Sequence, residues 1–432
     1  MGAFSLFILN LLFLPAAAVF LVFFLLSPRR ALLKNLWDEL PQRLALAKPA
    51  QIPSGALWLH AASVGETKAL TLLARKLRET LHGRPVLVTC STVAGRKAAA
   101  TLSPDAAVLA PLDFYPLTAR FIKQYRPSAL LIMERDLWPN MISSANSAAI
   151  PVCVLNGRMS KRSAGRYAFV KFFMNYIFSK TSLVCAQTEE DALRYLALGL
   201  APDKITVTGN IKYDLLERKP AAASALAPVF ASFAPQGSRL LVCGSTHPAE
   251  EELLAASFGK LRESVSGFKL AIAPRHLERL DQTESLLESA GIKTTRLSRA
   301  AGQDISRADC LLIDTMGQLS ACYAFASLCF IGGTIAKKGG HNMLEAAILG
   351  KPLLTGPHYY NTPEVAEKLL RDGGAVLFSA EDFSETAGQL LNSAEKLSMA
   401  GENALKTAET FTGATDKTLP MLEKALGPRY RK

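Results

Sequence analysis

Short, nearly uninterrupted apolar runs alternate with longer amphipathic stretches along most of this 432-residue chain, and they do so in two successive series. The first series comprises 56–63, 85–92, 106–113, 129–135, 150–156, 182–187 and 204–209. The second comprises 239–243, 268–273, 292–296, 309–314, 327–331, 352–355 and 375–378. Strands of a parallel sheet covered by helices are buried on both faces, so they show continuous apolar runs rather than alternation. The pattern predicts an α/β chain of two doubly wound, Rossmann-like domains facing each other across a cleft. At 216–238 the composition shifts to LERKPAAASALAPVFASFAPQGS, which reads as an interdomain linker with helical character at 221–233. The domains are then 35–215 and 239–383, and the remainder, 384–432, reads as a helical segment.

Residues 4–26 carry no charge, and as a helix they would reach roughly 35 Å, enough to cross a hydrocarbon core. Arg29, Arg30 and Lys34 follow at once, which places them and the rest of the chain on the cytoplasmic side of a membrane. No Lys or Arg precedes the run and no small-residue cleavage site follows it, so an uncleaved anchor is favoured over a signal peptide. Asn10 and Pro15 interrupt the run, and both a spanning and an interfacial helix remain open. Segment 1–34 is thus read as a membrane anchor with its basic flank.

Seven cysteines, an odd number without a CxxC pair, fall mostly inside the apolar runs. That is the pattern of reduced thiols packed as small hydrophobes, and it argues against a disulfide framework and structural zinc. The net charge of +12 favours an anionic partner: nucleic acid, an acidic membrane surface or a phosphorylated substrate. With an anchor on the same chain, a lipid surface is favoured and nucleic acid is not expected. Residues 137–188 hold no acidic side chain, whereas Arg158, Lys161, Arg162, Arg166 and Lys171 precede or open an aromatic run at 169–178. Such a stretch suits either a solvated basic helix end or an anionic lipid surface.

The polar clusters each follow an apolar run, where open α/β sheets bind their ligands. HAASVGE ends the first run and puts Glu66 at a helix start, as a dipole-favoured first-turn residue or, if desolvated, a general base. Glu134 and Asp136 end the fourth run, and Lys212 lies in GNIKYD. In the second half, GSTHP places small residues at a helix start, and Pro274-Arg275 sets a guanidinium just beyond a run, suited to bidentate phosphate contact. GGTIAKKGGHNMLEAA combines two glycine pairs with Asn342 and Glu345, a combination that suits the phosphate and ribose of a nucleotide. Neither a Walker A lysine motif nor a DxD motif occurs, so no metal and no cofactor is implied. From the residues alone, a sugar-nucleotide enzyme of unspecified donor and a non-catalytic membrane protein that binds anionic lipid both remain open.

Taken in order, HAASVGE, ERDLWPN, NGRMSKRS, QTEEDALRYLALG, GNIKYD, GSTHPAEEE, APRHLER, DTMGQL and GGHNMLEAAILGKP resemble the motifs of the 3-deoxy-D-manno-octulosonic acid (Kdo) transferases. The resemblance runs from the anchor to about residue 370. It implies a GT-B fold and an inverting glycosyltransferase that moves Kdo from CMP-Kdo to lipid A precursor (lipid IVA) in lipopolysaccharide biosynthesis. The expected location is the Gram-negative inner membrane, with the catalytic domains on the cytoplasmic side. By this resemblance Glu66 is the general base, and Glu134 and Lys212 stabilise the transition state. Pro274, Arg275, Met316, Gly317, Gln318, Asn342, Met343, Leu344 and Glu345 match the CMP-binding segments. Gln318 stands where the family usually has a glutamate, which keeps an acceptor oxygen and loses a charge.

Overall fold

The computed structural model describes residues 2–26, 32–80, 83–101 and 104–427. The chain divides into two compact units, residues 1–215 together with 412–432, and residues 216–411.

The first unit holds strands β1 (Leu57–Ala61), β2 (Val86–Cys90), β3 (Ala106–Leu109), β4 (Ala129–Met133), β5 (Val152–Gly157), β6 (Leu183–Ala186) and β7 (Ile205–Val207). All pair in parallel, in the order β3-β2-β1-β4-β5-β6-β7. Each predicted run of the first series overlaps one of these strands. β1, β2 and β4 to β6 are buried at every position, as helices on both faces demand. The helix Val64–Thr80 covers one face by burying Ala69, Leu70, Leu73 and Leu77, a spacing that keeps apolar side chains on one stripe. Leu422 and Leu426, from the helix Ala414–Leu426, complete the same cluster. The end of the segment expected as a separate helical tail therefore belongs to the first unit's core.

The second unit holds β8 (Arg239–Thr246), β9 (Phe268–Pro274), β10 (Thr294–Arg296), β11 (Cys310–Leu312), β12 (Leu328–Ile331), β13 (Leu353–Thr355) and β14 (Ala375–Leu377). They are again all parallel, in the order β10-β11-β9-β8-β12-β13-β14. The helix Ala221–Phe233 falls within the stretch expected as a linker. It packs into this unit, with Phe230 stacked on Phe325 and Ser232 Oγ accepting from Ile305 N at 3.2 Å. Leu226, Phe230 and Phe233 are buried, so the helix is tied down by an apolar face that its Ala- and Pro-rich composition obscures. All seven cysteines are free and buried.

Both sheets reverse their strand order at one point, between β1 and β4 in the first and between β8 and β12 in the second. Such switch points open a crevice at the carboxyl ends of the strands.

The helix Gly2–Leu26 is docked at its start on the first unit. Asn10 Nδ2 donates to Asn140 Oδ1 at 2.6 Å, Tyr115 N donates to Asn10 Oδ1 at 2.9 Å, and Phe13 stacks on Phe114. The asparagine that interrupts the apolar run is thus fully engaged by protein. Among the described residues no helix is long and apolar enough to cross a membrane. The side chains of Leu14, of 16–26 and of Lys34, together with Arg29 and Arg30, lie outside the described residues, and much of the anchor reading falls on them.

Candidate active site

Glu66 and Glu134 come together at the switch point of the first sheet. Glu66 occupies the first turn of the helix after β1, where its Oε2 accepts from Ala62 N at 2.7 Å and its Oε1 from Ser63 Oγ at 3.3 Å. Burial raises its pKa above the ordinary carboxylate value; the Ala62 amide opposes this, and the charges of Glu134 and Asp136 add to it. Glu134 directly follows β4 with a left-handed backbone, φ 56°, and is buried. Its Oε1 lies 2.6 Å from Lys212 Nζ.

Lys212 is carried on the 3-10 turn Ile211–Leu215, and its neighbours in GNIKYD fix that turn. Asn210 Oδ1 accepts from Lys212 N at 3.0 Å, and Asn156 Oδ1, at the end of β5, accepts from Ile211 N at 2.9 Å. Asp214 accepts from the backbone of Gly413, Ala414 and Thr415 at 2.7, 3.2 and 2.6 Å. It caps the N-terminus of the last helix, satisfying donors that the helix itself leaves unpaired.

A polar chain inside β1 orients the third carboxylate. Trp58 Nε1 can only donate, and it does so to Thr89 Oγ1 at 2.8 Å. The same hydroxyl lies 2.9 Å from His60 Nδ1, and His60 Nε2 lies 3.3 Å from Asp136 Oδ2. Burial pushes the Asp136 pKa up, but His60, Trp138 and Ser91 outweigh it and hold it below the usual value. Asp136 is thereby kept ionised and Glu66 is made more basic, a division that burial and neighbours commonly produce between active-site carboxylates. The sequence reading missed His60, although a histidine inside a fully buried strand was the available signal.

The second unit gathers its polar residues at the β8/β12 switch point. Gly332 follows β12 so close to β8 that an added Cβ would lie 2.3 Å from Ser245 O. The following loop is held by Glu250, a fully buried carboxylate that accepts from Gly333, Ile335 and Ala336 N at 2.9, 3.0 and 3.2 Å and from His247 N at 3.0 Å. Glu251, also fully buried, accepts from Thr246 Oγ1, Arg279 Nη1 and Thr283 Oγ1 at 3.2, 3.2 and 3.1 Å. Both belong to GSTHPAEEE, and both order the loops rather than merely favour a helix dipole.

His247 and His341 stack, with their Nε2 atoms 3.1 Å apart, and burial lowers the pKa of both. Burial, with His247, Arg275 and His276 adding to it, pushes the His341 pKa down to about 4. Arg275 follows Pro274 at the end of β9, its backbone N donating to Thr246 O at 2.9 Å and its side chain exposed. No ion pair engages its guanidinium among the described residues, so it projects as an unpaired cation beside the two histidines.

Asn342 Nδ2 donates to Glu345 Oε1 at 3.1 Å, and burial raises the Glu345 pKa. Met343 and Leu344 are buried, so their side chains pack inward and only their backbone is available to a ligand. Met316 is exposed, Gly317 has φ 80°, and Gln318 Oε1 accepts from Thr315 Oγ1 at 2.6 Å. Among the described residues no group of three or more His, Cys, Asp and Glu is placed to hold a metal ion.

Two parallel seven-stranded sheets with helices between their strands define the GT-B fold class. A glycosyltransferase from Rickettsia africae is 12% identical, with a TM-score of 0.59 over 86% of this chain and 99% of that one. UDP-GlcNAc 2-epimerase from Neisseria meningitidis shares the fold at 14% identity, with a TM-score of 0.60 over 86% and 100%. The family model described as 3-deoxy-D-manno-octulosonic-acid transferase matches residues 38–215. The 3-deoxy-D-manno-octulosonic acid transferase of Haemophilus influenzae is 32% identical over 331 residues, 75% of this chain and 76% of that protein. The chain belongs to the 3-deoxy-D-manno-octulosonic acid transferase family.

Proposed function

We propose that the protein transfers Kdo from CMP-Kdo to a glucosamine hydroxyl of lipid A precursor, with inversion and without a metal, on the cytoplasmic face of a Gram-negative inner membrane. The observation that carries the reading is the carboxylate set at the first switch point: a buried Glu66 of raised basicity beside an ionised Asp136 and a Glu134 paired with Lys212. Glu66 takes the proton of the acceptor hydroxyl as the new C–O bond forms. Lys212 supplies positive charge where charge develops, and Glu134 holds the ammonium in place. In the second unit Arg275 meets the donor phosphate, the glycine loop fixed by Glu250 lets backbone approach it, and Glu345 accepts the ribose hydroxyls.

Membrane contact is supported by the surface around the basic stretch. Arg158, Lys161, Arg162, Arg166 and Lys171 are all exposed, and the aromatic run divides: Phe178 is buried, whereas Phe169 is 89% and Phe172 50% exposed. Exposed aromatics among cations suit an anionic bilayer surface.

The test is to incubate purified protein with CMP-Kdo and tetra-acylated lipid A precursor and to weigh the lipid product. A mass increase of one or more Kdo units is expected. Tighter equilibrium binding of UDP than of CMP, with no change in product mass, refutes the donor assignment.

A further inference from the structure

A cavity of about 580 Å³ lies beside the carboxylate cluster in the first unit, between the start of the helix Gly2–Leu26 and the loops after β2, β3 and β4. Its volume is that of a ligand site. Its walls are mainly apolar: Leu9 and Phe13 from the N-terminal helix, Leu112, Met141 and Phe173 from the body.

The charged groups that reach the wall are already engaged. Arg43 pairs with Glu39 at 2.6 Å and donates to Ser91 O at 3.0 Å. Asp113 accepts from Asn140 N at 3.1 Å and Met141 N at 2.8 Å, capping the helix Pro139–Ser147. What remains is an apolar interior, which does not hold ordered water well.

Two wall residues belong to the candidate active site. Ser91 Oγ and Trp138 Nε1 each lie 3.3 Å from Asp136 Oδ2, the carboxylate whose charge Glu66 feels. Anything lodged in the cavity therefore places its adjoining end beside the base.

We infer that this cavity is an acyl-chain subsite, which takes one hydrocarbon chain of an amphipathic acceptor while the sugar hydroxyl of that acceptor meets Glu66. The inference rests on the acceptor reading above and adds to it where the chain goes. The N-terminal helix offers the route: Phe4, Phe7, Leu11 and Leu12 are exposed on the helix that also contributes Leu9 and Phe13 to the cavity. A chain can slide from lipid along that surface without crossing water, and its burial in the cavity is favoured by the apolar area it removes from water.

The probe is tetra-acylated lipid A precursor with a diazirine at the end of one acyl chain, photolysed on the full-length protein in detergent. Labels are expected on Phe13, Leu112, Met141 or Phe173. Labelling confined to Phe169 and Phe172 would overturn the subsite even if Kdo transfer proceeds normally. Labelling of the cavity without any Kdo transfer would support the subsite while refuting the proposed reaction. Leu9→Trp and Leu112→Phe, which fill the cavity from opposite walls, should each raise KM for the tetra-acylated acceptor at least tenfold. Neither should change KM for the same phosphorylated disaccharide stripped of its acyl chains. An equal rise for both acceptors, or none for either, would also overturn the inference.

Discussion

The ammonium of Lys212 lies 2.6 Å from the carboxylate of Glu134, so two groups from loops after different strands act as one unit. The pair sits beside Glu66 and adds to the pressure on it: the negative charge of Glu134 raises the Glu66 pKa, as burial does more strongly. The raised basicity of Glu66 is thus a product of the assembled site.

Glu66→Gln keeps the shape and loses the proton acceptor. Turnover on lipid A precursor should fall by ~10²–10⁴-fold, with CMP affinity and folding unchanged. In the wild type the base works only when ionised, so the rate should decline as pH falls through a value above the ordinary 4.5. Steady-state rates across pH check both; a Glu66→Gln variant with most of its turnover would move the role to Glu134 or Asp136.

Lys212→Met removes the cation and leaves Glu134 buried without its partner. We expect turnover to drop about 10²-fold and thermal stability to fall. Adding Glu134→Gln should recover stability, because the stranded charge is gone, but not turnover. Recovery of both would make the pair purely structural.

Arg275→Ala should weaken CMP binding by about 1.5–3 kcal/mol, roughly ten- to 150-fold, if its unpaired guanidinium meets phosphate. Arg275→Lys should restore only part, since the bidentate geometry is lost. Calorimetry with CMP is the measurement, and unchanged affinity removes Arg275 from the site.

His341 gives a signature in stability. Its folded pKa of about 4 lies below the ordinary 6.5, so between those values the unfolded chain binds the extra proton. Stability should therefore fall as pH is lowered from 6.5 towards 4, the sign required when the unfolded state holds more protons. His341→Gln can keep a hydrogen bond to His247 but does not titrate. Denaturant midpoints across this range should slope less for the variant; parallel slopes would mean that other groups dominate.

The fold was legible because continuous apolar runs identify strands covered on both faces, and each of the fourteen runs overlaps one, although β8 continues three residues past its run. The placement of β11 between β9 and β10 was not, since strand order is set by crossovers that leave no local mark. In the site, Glu66, Glu134 and Arg275 stand out because they lie at or just beyond the ends of apolar runs, and Glu345 because it follows two glycine pairs. Glu250 does not, because beyond its local bond to His247 N its role in holding the glycine loop appears only when residues 83 or more positions later fold against it. Met343 and Leu344 illustrate the reverse case: they sit in a motif that the resemblance matches to CMP binding, but their side chains are buried in the core.

Asp214 grips Thr415 across 201 positions of chain. In connectivity the second unit is therefore an insertion within the first, entered after Leu215 and left before Thr412. During synthesis, β1 to β7 must wait with part of their core uncovered until Leu422 and Leu426 have been made. The second unit, whose residues are contiguous, is under no such delay. A nonsense codon between positions 412 and 422 would therefore strip core from the unit that carries Glu66 and leave the residues of the second unit intact.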